Sequence, residues 1–110
     1  MKICVTARGP DLESQFEPHF ARAPYFLFYD TVTGELEAIR NGFTVQDHKI
    51  GRNAVQLLSS YKVAAVVTGR AGSTAQKLLG SENIALRIWP EGGTVREVLT
   101  AMSLFAPEER

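Results

Sequence analysis

The chain carries two histidines, His19 and His48, and a single cysteine, Cys4. His19 stands in "EPHFARAPYF" (17–26), with Arg22 three positions later. An imidazole beside a guanidinium suits two chemistries: ligation of a metal through one neutral ring nitrogen, and capture of an anion. A second stretch, "GRAGS" (69–73), sets Arg70 between Gly69 and Gly72, where the missing side chains let a ligand approach the backbone closely. His48 precedes Gly51 and Arg52 in "QDHKIGRN". Plainer readings stand beside these. His19 could donate to a loop carbonyl, His48 could be a solvated residue at a helix start, and the glycines could merely make a turn. Cys4, in an apolar run, reads as core.

Several chemistries are excluded by what is missing. "GRAGS" is not a phosphate-binding P-loop, because the lysine of GxxxxGK[ST] is absent. No serine lies in a G-x-S-x-G elbow, and no general base pairs with a nucleophile in any motif, so an enzyme is not expected. One cysteine permits neither an internal disulfide nor a cluster held by this chain's own thiolates. Lysine plus arginine number 12 and aspartate plus glutamate 12, a balance that argues against capture of nucleic acid or of an anionic membrane. "MKICVTARG" is too short an apolar run for a signal peptide, and no segment reaches the ~20 apolar residues of a membrane span. The expected location is the cytoplasm.

The elements that must position these groups follow from hydrophobic period. At 110 residues the chain has room for one core, and a single domain over 1–110 is expected. "KICVTA" (2–7), "PYFLFYD" (24–30) and "ELEAIRN" (35–41) read as strands, the last two joined by a "TVTGE" turn into a hairpin. Ile50, Ala54, Leu57, Leu58 and Tyr61 predict a helix near 50–61. "VAAVVTG" (63–69) reads as a central strand buried on both faces. Ser73 with Gln76 resembles a capping box ahead of a second helix, with Gly80 at its C-cap; "IALRIW" (84–89) is a fifth strand, and Thr94 with Glu97 caps a third helix. The order β-β-β-α-β-α-β-α predicts an α/β fold: a three-layer α/β/α sandwich with a mixed five-stranded sheet, order 3-2-1-4-5, strand 2 antiparallel.

That topology gathers the candidate residues. The C-terminal ends of strands 1, 3, 4 and 5 share one edge with the start of strand 2, and ligands of open α/β sheets bind at such an edge. It collects Thr6–Arg8, His19–Ala23, Asp47–Arg52, Thr68–Ser73 and Gly92–Thr94, together with three helix N-termini, which favour an anion. Arg8, Arg22, Arg52 and Arg70 add mobile positive charge. The sheet order is that of ribonuclease H-like domains, but two-metal cleavage needs carboxylates at adjacent strand ends. Here those ends carry Cys4, Thr6, Val67 and Thr68, so the nuclease reading fails. The acidic residues of the 8–18 loop, Asp11, Glu13 and Glu17, would repel an anion unless they point away. If the edge docks a protein instead, Phe16 and Phe20 would be its exposed anchors.

"HFARAPYFLFYDTVTGE" resembles the H-F-G-R-A-P-Y-F signature of the dinitrogenase iron–molybdenum cofactor biosynthesis family, which includes NifX and the C-terminal domain of NifB. "VVTGRAGSTAQKLL" and "EGGTVREVL" are similar to that family's later segments, at matching spacing through essentially the whole chain. Ala21 stands where the family carries glycine. The resemblance implies a ribonuclease H-like fold without nuclease carboxylates and a non-catalytic carrier role. Its cargo would be the iron–molybdenum cofactor, its precursor or another iron–sulfur or molybdenum-containing cluster, in nitrogen fixation or another pathway. His19 would be the metal ligand, with Glu13, Glu17 or a loop carbonyl behind its other nitrogen, and the cofactor-binding set would be His19, Arg22, His48, Gly69, Arg70 and Gly72. Implied partners are proteins that donate or accept the cluster. A small-anion or nucleotide-binding regulatory module using the same edge is the alternative, and a protein-interaction domain a further one.

Overall fold

A computed structural model describes residues 1–42 and 50–107. The elements are β1 (Lys2–Ala7), β2 (Tyr25–Asp30), β3 (Leu36–Arg40), α1 (Ile50–Ser60), β4 (Ala65–Thr68), α2 (Ser73–Ser81), β5 (Ala85–Ile88) and α3 (Val95–Ala101). One sheet holds the five strands in the order β3-β2-β1-β4-β5. β2 runs antiparallel to β1 and β3, while β4 is parallel to both β1 and β5. The expected α/β topology is therefore the one the chain adopts.

Burial follows the two-residue period of a strand. Cys4, Phe26, Phe28 and Val66 point to one side, where Ala54, Val55 and Leu58 of α1 and Ala75 and Leu79 of α2 cover them. Ile3, Val5, Leu27, Tyr29 and Val67 point to the other, against Val95, Val98 and Leu99 of α3. β1 and β4, inner strands covered on both faces, are apolar and buried nearly throughout. The β2–β3 turn is closed by the Asp30 carboxylate, which accepts from the Val32 and Thr33 N–H groups at 2.8 and 3.1 Å. Gly34, at φ 81°, takes the left-handed position that the reversal needs.

Capping divides the expectations. α3 carries the capping box: Glu97 N–H donates to Thr94 Oγ1 at 3.1 Å, and Thr94 N–H donates to Glu97 Oε1 at 2.8 Å. The box expected at Ser73 and Gln76 does not form. Gly72, extended at φ −66° and ψ 163°, is the N-cap, no side chain caps α2, and Gln76 Nε2 donates to the Ala71 carbonyl instead. Gly80 is inside α2 rather than beyond it. The helix runs on to Ser81, and the left-handed residue after it is Asn83, at φ 59°.

Phe16 and Phe20 also depart from expectation. They are 3% and 1% exposed, because Phe16 joins the α3-side core and Phe20 the α1/α2-side core. Neither can anchor a partner on the surface. Among the described residues, no helix is long and apolar enough to cross a membrane.

Candidate functional site

The loop between β1 and β2 is tied down over the ends of β1 and β4. Thr6 and Thr68, both fully buried, bring their hydroxyls to 2.9 Å from each other. Thr6 Oγ1 donates to the Glu17 carbonyl at 2.6 Å, Thr68 Oγ1 to the Pro18 carbonyl at 3.3 Å, and Glu17 N–H to the Thr6 carbonyl at 3.0 Å. The N–H groups of Gly69 and Arg70 also donate to the Pro18 carbonyl, at 3.0 and 2.7 Å, and Phe20 N–H donates to the Arg70 carbonyl at 3.0 Å. Gly69 is what permits this contact. A Cβ there would stand 2.6–2.8 Å from the Cβ, Cα and carbonyl oxygen of Pro18. Its role in the structure is to let Pro18–His19 lie on the strand end, and it does not line the adjacent depression.

His19 is oriented from both sides of its ring. Its Nδ1 lies 2.9 Å from Glu17 Oε2, which also accepts the His19 backbone N–H at 3.0 Å. Arg8 Nε donates to the other oxygen of Glu17 at 3.0 Å. Burial works against the Glu17 charge, its side chain being 12% exposed, but the bonds from His19 and Arg8 outweigh it and hold the carboxyl below its usual range. Arg70 Nη2 meets His19 Nε2 on the opposite side of the ring. A carboxylate only accepts and a guanidinium only donates. Those two partners dictate one tautomer, with hydrogen on Nδ1 and the lone pair on Nε2. A ligating histidine held by a carboxylate behind its other nitrogen has this arrangement.

His19, Phe20, Ala21, Arg22, Arg70 and Gly72 line an open depression of about 390 Å³, into which the half-exposed imidazole reaches. Arg22 and Arg70 are exposed. Nothing would meet a Cβ at Gly72, so the floor beside the start of α2 is open. Four of the six expected site residues, His19, Arg22, Arg70 and Gly72, thus share one depression, and Gly69 supports it from behind. His48 lies outside the described residues.

Other expectations are narrowed. Arg8 is not mobile charge, because it is paired with Glu17. Arg52 lines a separate groove of about 560 Å³ between α1 and α2, with Gln56, Ser59, Leu78 and Glu82. The start of α3 is closed to a ligand, since its Val95 and Arg96 N–H groups donate to the Ser14 and Leu12 carbonyls. α2, by contrast, starts without a side-chain cap, at the depression that His19 lines. The acidic loop residues are accounted for: Asp11 accepts from Glu13 N–H and Ser14 Oγ, Glu13 pairs with Arg96, and Glu17 serves His19. Cys4 is fully buried, and burial pushes its thiol far up, so it is core and not a ligand. Among the described residues no three histidine, cysteine or carboxylate side chains are grouped to hold a metal ion.

A family profile described as dinitrogenase iron–molybdenum cofactor matches residues 1–104. The chain belongs to that family. Among solved structures, it is similar to the apo form of the orange protein from Desulfovibrio gigas, at 33% identity and a TM-score of 0.86, over 93% of this chain and 86% of that one. A candidate NifB protein from Thermotoga matches at 33% identity and a TM-score of 0.82, with the same coverage. A candidate dinitrogenase from Methanocaldococcus jannaschii shares the fold, at a TM-score of 0.63 and 16% identity over 100% of this chain and 96% of that one. No curated protein matches the chain. The family match spans both segments that build the depression, residues 17–24 and 68–73.

The role of the two buried threonines is hardly legible in the sequence. Their signal in the sequence is faint: a threonine near the end of each of two adjacent parallel strands, where alternation alone predicts either face.

Proposed function

We propose that this chain is a non-catalytic accessory protein of iron–molybdenum cofactor biosynthesis. One domain over 1–110 binds a metal–sulfur cluster, the cofactor or its precursor, and passes it to an acceptor protein. The observation that carries this reading is the His19 ring, held by Glu17 through Nδ1 with Nε2 directed to an arginine-rimmed depression, in a member of this family. A bare cation needs several protein donors. A cluster brings its own sulfides and needs one or two ligands plus positive surroundings, which Arg22, Arg70 and the uncapped start of α2 provide. One imidazole in an open depression also suits release, whereas a closed four-thiolate cage retains its metal.

Anaerobic titration with isolated iron–molybdenum cofactor, followed by absorbance and gel filtration, tests the reading. Wild type is expected to retain cofactor through the column and His19→Ala to lose it. Equal retention by both would remove His19 from the role, and no retention by wild type would remove the function. The uncapped α2 start favours a second reading, a small-anion module, in which Arg70→Ala weakens binding more than His19→Ala and iron is irrelevant.

A further inference from the structure

The nitrogen of His19 that a metal would use is already occupied. Glu17 fixes the hydrogen on Nδ1, so the Nε2 lone pair is the donor available to a ligand, and Arg70 Nη2 sits on that lone pair. This is an unusual station for a guanidinium. Both oxygens of Glu17 are taken by Arg8 and His19, and among the described residues Arg70 has no ion pair. Its cation therefore rests on a neutral acceptor, while its side chain is exposed and free to swing into solvent. Its backbone, by contrast, is fixed by the bonds to Pro18 and Phe20, so the loop stays in place whether or not the side chain moves.

We propose that Arg70 is a specificity-determining cap: it blocks His19 Nε2 in the free protein and yields only to a ligand that carries negative charge. This rests on the reading of His19 as the cluster ligand. An incoming divalent cation must displace a like charge and offers the displaced guanidinium no acceptor. An anionic metal–sulfur cluster offers several, so Arg70 exchanges one neutral lone pair for sulfides and then helps to hold the cargo. Arg22, exposed on the rim of the same depression, adds to the selection by charge. The site thereby discriminates between a loaded cluster and the free metal ions from which clusters are assembled. A single imidazole without the cap would not.

The test compares wild type with Arg70→Ala, which keeps every backbone bond of residue 70. Diethyl pyrocarbonate acylates an imidazole through its lone pair, and peptide mass spectrometry separates His19 from His48. Removal of the cap is expected to speed modification of His19 about tenfold, the low end for a hydrogen bond to a charged group. Cobalt(II) chloride, followed by broadening of the His19 ring signals, is expected to act at roughly tenfold lower concentration on the variant. Isolated iron–molybdenum cofactor is expected to bind the variant more weakly than wild type, the opposite sign. Equal acylation rates would overturn the cap, and equal cobalt response would overturn selection by charge. If wild type fails to bind cofactor while the acylation and cobalt differences stand, the functional reading falls and the cap survives.

Discussion

Gly69→Ala is the most direct probe of how the site is assembled. The new Cβ would stand 2.6 Å from Pro18 Cβ, 2.7 Å from its Cα and 2.8 Å from its carbonyl oxygen. Two of these are backbone atoms of a loop pinned by Thr6 and Thr68, so no side-chain rotation relieves the clash. Either the strand end or the loop must move, and three backbone bonds are at stake: Gly69 and Arg70 N–H to the Pro18 carbonyl, and Phe20 N–H to the Arg70 carbonyl. The two costs are alternatives: if the loop lifts, about 1 kcal/mol net is lost for each bond, and if it holds, overpacking costs ~1–3 kcal/mol, so a loss near ~3 kcal/mol is expected. For a domain of 110 residues that lowers the melting temperature by roughly 10–15 °C. Gly72→Ala is the control, because a Cβ there meets nothing within 4 Å and its φ of −66° suits any residue. Its cost is expected to stay under about 1 kcal/mol, that of a poorer N-cap. Urea unfolding of both variants, with cofactor titration of each, makes the comparison. Equal stability of the two, with His19-dependent binding intact in Gly69→Ala, would refute the account of how the loop is seated.

Three further outcomes follow from the same geometry. A carboxyl held below its usual range, as at Glu17, stabilises the fold above the unfolded-state value of about 4.3. That stability is lost as pH falls through the lower folded-state value, so the advantage of wild type over Glu17→Gln in urea is expected at pH 7 and to fade as the pH is taken below the unfolded-state value; a difference independent of pH would contradict it. The buried Cys4 thiol is expected to resist a disulfide reagent in the native protein and to react fully in denaturant, and prompt native reaction would place it at the surface. Phe20→Ala, which empties a core position, is expected to cost about 3–5 kcal/mol by urea unfolding; a change within ~0.5 kcal/mol would mark Phe20 as a surface residue after all.

The topology was legible because each strand declares its place by burial. "ICV" and "AVV" are apolar on both faces, as inner strands covered by helices must be, whereas β3 half-buries only Leu36 and Ile39 and exposes the rest, as an edge strand does. Boundaries were less so. Ser73 and Gln76 match the capping pattern in type, but the chain is already helical at Ser73 because Gly72 makes the extended step before it. Spacing cannot say which of two adjacent small residues takes that step. At the site, shared position on one sheet edge brought His19 and Arg70 together correctly, since β4 ends where the β1–β2 loop crosses it. It could not tell a free charge from a paired one. Arg8 and Arg70 look alike in sequence, yet Arg8 neutralises Glu17 and Arg70 faces His19, a distinction set by which rim of the loop each strand end reaches. The phenylalanines misled for a related reason. In a loop rich in proline and charge they suggest exposure, but the loop folds back over both ends of the core and buries one ring on each side of the sheet.

The strand ends explain why such a site can sit on a sheet of this order. In two-metal nucleases the ends of adjacent strands must present carboxylates, and a cation-binding edge is necessarily negative. Here the ends of the adjacent strands β1 and β4 carry Thr6 and Thr68, whose hydroxyls are buried and spent on the loop carbonyls of Glu17 and Pro18. Replacing charge by hydroxyl does two things at once. It leaves these two strand ends without a carboxylate, which suits an anionic cargo, and it supplies the anchors that raise His19 above the strand ends. The Glu17 carboxylate, close to the depression, is masked by Arg8 and turned to the far side of the imidazole. Chemistry thus passes from the strands to the loop laid over them, and the positive face that remains, Arg22 and Arg70 around a single nitrogen donor, fits a ligand that carries its own metals and its own negative charge.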